Sequence, residues 1–110
     1  MVIDMVRLYE DIEDGFSKAL EENKSVLLHF TAVWCGSCKV QEEILEREVI
    51  PLLKHEIVFI RIDVDRHEDM TKQYDVQSIP LLILLSANKR EKWRRTGISE
   101  REEIERAVTE

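Results

Sequence analysis

The sequence predicts an α/β fold, with helices on both faces of a mixed sheet of four or five strands. Three observations predict it. Short apolar runs alternate with segments whose apolar residues recur at helical spacing. Two of those runs, residues 25–30 and 81–85, are almost wholly apolar, as strands buried on both faces are. The strand–helix–strand connections are of a length that favours parallel pairs and right-handed crossovers, and the closing hairpin adds an antiparallel edge.

Each element has its own reason. Ile3, Val6 and Leu8 alternate loosely and suggest a short edge strand. Ile12, Phe16, Ala19 and Leu20 then fall on one helical face, and Asn23 and Lys24 close that helix. After the apolar run at 25–30 comes a tight segment, 31–36, and a helix from about Cys35 to Leu53. Its inner face reads Cys38, Leu45, Val49 and Leu52, flanked by Ile44 and Leu53, and Pro51 should end or kink its last turn. Residues 57–64 form a strand that is apolar first and alternating later. Residues 66–74 make a short helix with Met70 and Tyr74 inward. The strand at 81–85 is followed by turn chemistry at Ser86-Ala87-Asn88-Lys89 and a charged strand from Arg90 to Thr96, paired as a hairpin. Ser99 and Glu102 have capping-box spacing and open a final helix with Ile104, Ala107 and Val108 inward.

Composition narrows the function classes. The 110 residues suit one domain, and 44% hydrophobic content argues against disorder despite 35% charged residues. A net charge of -7 argues against nucleic acid as a partner, because phosphate binding needs cations. No apolar stretch approaches a membrane span, and the N-terminus lacks the basic region of a secretory signal. A cytoplasmic monomer is therefore expected. Two Cys are too few for a disulfide scaffold and need their own explanation.

Trp34-Cys35-Gly36-Ser37-Cys38-Lys39 lies where a buried strand gives way to a helix. A helix N-terminus supplies backbone N–H donors and the positive end of the dipole, which favour a thiolate. Two intervening residues place Cys38 about one turn after Cys35 on the same side. Cys35 then reads as the exposed attacking thiol and Cys38 as the resolving thiol. A zinc site would need four ligands, and the chain has no second Cys pair and no His at finger spacing. The sequence contains no Gly-rich phosphate loop either, so no metal, flavin or nucleotide cofactor is expected.

The chain resembles the thioredoxin family. Residues 30–39 are similar to the family's active-site segment, 61–65 to its central strand end, Ser78-Ile79-Pro80 to its cis-proline segment, and Gly97 to the Gly before its last helix. The resemblance implies a thioredoxin fold, a cis Ile79–Pro80 bond, and a docking groove formed by Trp34, Cys35, Gly36, Ile79 and Pro80. It also implies protein disulfide substrates and a reductase or other electron donor that the sequence does not identify. Ser37 stands where the family usually has Pro, restoring an N–H and adding a hydroxyl beside Cys35; a less reducing dithiol is expected. His29 replaces the family's buried Asp. It reads either as a proton acceptor for Cys38 or as a buried His that only packs. Glu42, four residues after Cys38, is a second route for that proton or a solvated carboxylate. Glu43 replaces a helix Pro, which predicts a straighter helix. Two rival readings share these features: a relay domain similar to the C-terminal domain of membrane thiol–disulfide transporters, and a non-catalytic thioredoxin-like binding module.

Overall fold

The computed structural model describes residues 11–110. The edge strand expected around Ile3, Val6 and Leu8 lies outside the described residues. Helix α1 (Ile12–Glu22) starts where the Asp11 side chain accepts from Asp14 N–H, and ends at Asn23, which takes the left-handed conformation at φ 52°. Strand β1 (Ser25–Thr31) leads into α2 (Gly36–Ile44), a π-helical segment (Leu45–Val49) and α3 (Ile50–Leu53). Then follow β2 (Ile57–Asp63), α4 (Glu68–Gln73), β3 (Leu81–Leu85), β4 (Glu91–Thr96) and α5 (Arg101–Thr109).

The four described strands lie in the order β2-β1-β3-β4. Strands β1 and β2 are parallel, joined by the expected helical crossover; β3, expected to run parallel as well because a helix precedes it, instead runs antiparallel to both β1 and β4. Alternation along each strand divides the core in two. Val26, Leu28, Phe30, Ile60, Ile62 and Ile83 pack with Ala19, Ile12 and Phe16 of α1. Leu27, Phe59, Leu82 and Leu84 pack on the other face with Leu45, Val49, Ile50 and Leu53, and with Ile104 of α5. Leu20, expected inward on α1, is 65% exposed. The charged strand β4 is an edge of the described sheet, where charge opposes edge-to-edge pairing.

The long helix is regular through Glu43 but is not one unbroken α-helix. The Ile50 N–H reaches back five residues to the Leu45 carbonyl, so one residue is inserted into the ladder just before Pro51, which has no N–H to offer. That insertion rotates everything after it. In an unbroken α-helix Leu52 would follow Leu45 at heptad spacing; here Leu53 takes the inner position and Leu52 turns to solvent. Helix α5 begins one residue later than expected, with Glu100 as N-cap and the Glu103 carboxylate accepting its N–H at 3.3 Å.

Ser99 is thereby released from capping and serves the core. The buried Gln41 side chain donates from Nε2 to the Ser99 carbonyl at 3.1 Å, and its Oε1 accepts the Ser99 N–H at 2.7 Å. This pair of bonds ties the middle of α2 to the start of α5. Gln41→Ala should strip both partners from a buried peptide group and lower unfolding stability by about 3 kcal/mol. Urea denaturation measures it, and a loss under about 1 kcal/mol would show that the clamp is dispensable.

Candidate active site

Strand β1, buried from Val26 to Phe30, delivers Ala32, Val33 and Trp34 to the carboxyl end of the strand and seats Cys35 as the N-cap of α2. The Cys35 backbone is extended (φ -92°, ψ 111°), and its Sγ accepts the N–H of Cys38 at 3.2 Å. Cys35 and Cys38 are joined as a disulfide with their Cα atoms 5.2 Å apart. Both residues are buried: Cys38 at 1% exposure, and Cys35, expected to be exposed, at 7%, reaching the surface only where it lines a groove. The Ser37 hydroxyl lies 3.5 Å from Cys35 Sγ. Ala32, Val64 and Ile79 pack around the pair.

The Ile79–Pro80 peptide is cis. Its loop and the first turn of α2 enclose an open groove of about 570 Å³, lined by Trp34, Cys35, Gly36 and Ser37 on one side and by Val76, Gln77, Ser78 and Ile79 on the other. Pro80 itself is buried behind this lining rather than part of it, and its carbonyl accepts the Gly97 N–H at 2.8 Å. Gly36 is not among the residues at positive φ, so the turn does not demand glycine there. A side chain at Gly36 would instead enter open space within the groove. Trp34 is exposed at 68%, and its indole N–H donates to the Asp65 carboxylate at 2.8 Å, which holds the ring at the rim.

His29 and Arg61 are register partners on β1 and β2, both on the α2 face of the sheet. Glu42 comes down to them from α2, one turn after Cys38. Glu42 Oε1 lies 3.0 Å from His29 Nδ1, and the Arg61 guanidinium donates to Oε2 at 2.8 Å. Glu42 is thus no solvated carboxylate. Burial pushes its carboxyl up, but the contact with His29 and the charge of Arg61 outweigh burial and hold it below the ordinary value. Glu46, one turn on, is pushed the other way by partial burial and by the Glu42 charge. His29 is 1% exposed, and its second ring nitrogen, Nε2, has no hydrogen-bond partner among the described residues. A second cleft, about 350 Å³, opens beside Cys38 and Glu42 and is lined by Lys39, Arg61, Asp63, Arg66 and His67.

A family model described as thioredoxin matches residues 8–110. The chain belongs to the thioredoxin family. It is 35% identical over 79 residues to a thioredoxin of Drosophila melanogaster, covering 70% of this chain and 73% of that protein. It is 32% identical over 82 residues to the thioredoxin of Buchnera aphidicola, covering 73% and 74%. It also aligns at 35% identity over 74 residues, 67% of this chain, with a bifunctional thioredoxin reductase/thioredoxin of Mycobacterium leprae, of which it spans 16%. The germline-specific thioredoxin Deadhead of Drosophila melanogaster superposes with a TM-score of 0.78 at 26% identity, over 94% of this chain and 97% of that one. A thioredoxin of Nicotiana alata gives 0.75 at 28% identity, over 89% and 82%. With its Cys pair at bonding distance, this thioredoxin family member is a thiol–disulfide oxidoreductase. Among the described residues no helix is long and apolar enough to cross a membrane.

The lowered Glu42 carboxyl has a consequence for stability. A depressed folded value stabilises the fold above the ordinary 4.5 of a free carboxyl, and that stability is lost as pH falls through the lower folded value. Glu42→Gln should therefore cost about 2 kcal/mol near pH 7, and the gap to wild type should close as pH drops below about 4. Denaturant melts across that range measure it, and a gap independent of pH would contradict the ion pair.

Proposed function

We propose that this protein reduces or exchanges protein disulfides by a dithiol mechanism. The reduced Cys35 thiolate attacks a substrate disulfide, forming a Cys35–substrate disulfide and expelling one substrate thiolate. Cys38 then loses its proton to His29 and attacks Cys35 Sγ, which closes the Cys35–Cys38 disulfide and releases the second substrate thiol. Two electrons pass from the dithiol to the substrate, and a separate reductase or electron donor restores the dithiol.

One observation carries this reading. Cys35 caps α2 and receives the Cys38 N–H while facing the groove, with Cys38 bonded behind it. The helix start stabilises the first sulfur as a thiolate, and the three-residue spacing supplies the second within reach. The groove between Trp34, Gly36 and Ser37 and the Ile79 segment suits an extended peptide. Its substrate would pair with the Ile79 backbone by short strand addition, beside a Pro80 that offers no N–H. Gly36 keeps the approach open, since an added side chain there would stand in the groove.

Ser37 tunes the pair. Its hydroxyl at 3.5 Å from Cys35 Sγ and the N–H that Pro would lack both stabilise a thiolate. A stabilised reduced form is the stronger oxidant. Ser37→Pro should make the dithiol more reducing by about 30 mV, corresponding to ~1.4 kcal/mol, in a glutathione redox titration. A variant potential equal to or above the parent's would refute the role of Ser37.

Catalysis is tested by acceleration of insulin disulfide reduction by dithiothreitol. The wild-type protein should accelerate it, Cys35→Ser should abolish the effect, and Cys38→Ser should trap substrate through Cys35 as a mixed disulfide visible by mass spectrometry. No acceleration while Cys35 remains titratable would favour a binding module over an enzyme.

A further inference from the structure

Among the described residues, only two buried side-chain polar atoms lack a hydrogen-bond partner, and one is His29 Nε2. An unsatisfied polar atom in a close-packed interior costs free energy, and its protonation state decides whether a donor or an acceptor is left without a partner. The surroundings of His29 decide that state. Its Nδ1 lies 3.0 Å from Glu42 Oε1. The other oxygen of that carboxylate accepts from Arg61, a permanent cation. An ionised carboxylate is an acceptor only, so the bond to His29 requires a proton on Nδ1. In the neutral ring Nε2 then carries a bare lone pair. The opposite tautomer would bury an N–H with no acceptor and set a lone pair against the Glu42 oxygen.

We infer that Glu42 is a positioning residue, which fixes the His29 tautomer so that Nε2 is the atom that takes the Cys38 proton, while Arg61 keeps Glu42 an acceptor. This rests on the reading that His29 is the proton acceptor for Cys38. Burial raises the Glu42 carboxyl, but His29 and Arg61 together hold it below the ordinary value, so it stays ionised when the ring must be aligned. Placement agrees. Cys38 and Glu42 are four residues apart on one helical stripe, about 6 Å along the axis, so the residue holding the imidazole and the residue to be deprotonated share one face of α2. The step balances. Cys38 Sγ–H gives its proton to Nε2, directly or through one water, and the thiolate displaces the substrate sulfur from Cys35. The imidazolium that results has its charge opposed by Glu42, and the proton passes to the departing substrate thiolate or to solvent. A carboxylate that aligns an imidazole beside a thiol is the logic of a nucleophile–base–orienter set, used here for the second sulfur rather than the first.

The test uses the full chain in its reduced state with ¹⁵N-labelled histidine. His29→Ala identifies the His29 signals among those of His55 and His67. The expected wild-type spectrum has the proton on Nδ1 and Nε2 unprotonated. In Glu42→Gln the amide can donate to Nδ1, so the ring should switch to the Nε2–H form. The same variants are mixed with Ellman's reagent by stopped flow. Attack by Cys35 releases one thionitrobenzoate and resolution by Cys38 the second. Glu42→Gln should slow the second phase on the order of a hundredfold, to the level of His29→Ala. A wild-type ring protonated on Nε2, or a Glu42→Gln protein that keeps both the tautomer and the second phase, would overturn the inference. The wild-type spectrum decides the tautomer even if Glu42→Gln fails to fold. A His29→Ala protein with an unchanged second phase would overturn the proton-acceptor role itself, and the wild-type tautomer tells that failure from the other.

Discussion

Burial of β1 on both faces is the constraint from which the rest of the site follows. A strand covered on both sides cannot end inside the core, because its unpaired backbone groups would be stranded there. It leaves the sheet at Thr31, and the first surface it reaches is where α2 begins. The chain must turn there within a few residues, and the helix it starts lies back across the sheet. The sulfurs therefore stand at the carboxyl end of a central strand, at a helix start, where backbone donors are unpaired by construction. The cis Ile79–Pro80 segment enters β3, the other neighbour of β1, and so arrives at the same end of the sheet. Two independent loops meet at the dithiol because both serve the same central strand.

The face of the sheet beneath α2 shows how a fold keeps polar groups in its interior. Leu27 and Phe59 continue into His29 and Arg61 at the same register, so the apolar layer gives way to a polar one along the line of the strands. Glu42 meets the two of them from above, one oxygen bonded to the His29 ring and the other paired with the Arg61 guanidinium. Gln41, next along α2, turns the other way and engages backbone only. Adjacent residues of one helix thus carry out separate tasks, one electrostatic at the redox pair and one architectural at α5. The cleft beside Cys38 mixes charges, with Lys39, Arg61 and Arg66 lining it together with Glu42 and Asp63.

Much of this was legible in the sequence, and the rest was hidden for physical reasons. The apolar run from Val26 to Leu28 and the Leu81–Leu85 block read directly as buried strands, because unbroken hydrophobicity over so short a length suits a strand covered on both faces. The Cys pair after Trp34 announced its chemistry by spacing, and family resemblance supplied the cis bond at Pro80, which spacing does not show. The π segment was not legible, since one inserted residue leaves the composition of Leu45–Val49 unchanged and is seen only in which leucine faces in. Gln41 and Glu42 were hard for a related reason: a polar residue on a helix is solvated by default, and only the partner across the fold reveals otherwise. A signal did exist. His29 and Arg61 each interrupt an apolar strand at equivalent positions, and two such interruptions ask for a counter-charge from the element above. The antiparallel direction of β3 was masked because a short helix and a loop precede it, a connection compatible with either direction.

The π segment also divides the long helix into two parts that answer to different demands. Before it, the residues serve the dithiol, its polar support and, through Gln41, the start of α5; after it, Ile50 and Leu53 serve the apolar layer alone. An irregular turn between them uncouples their rotational phase, so a change in one half need not be matched by its complement in the other. For engineering, it marks where the redox half of this helix can be redesigned, with Gln41 kept, without re-phasing Ile50 and Leu53.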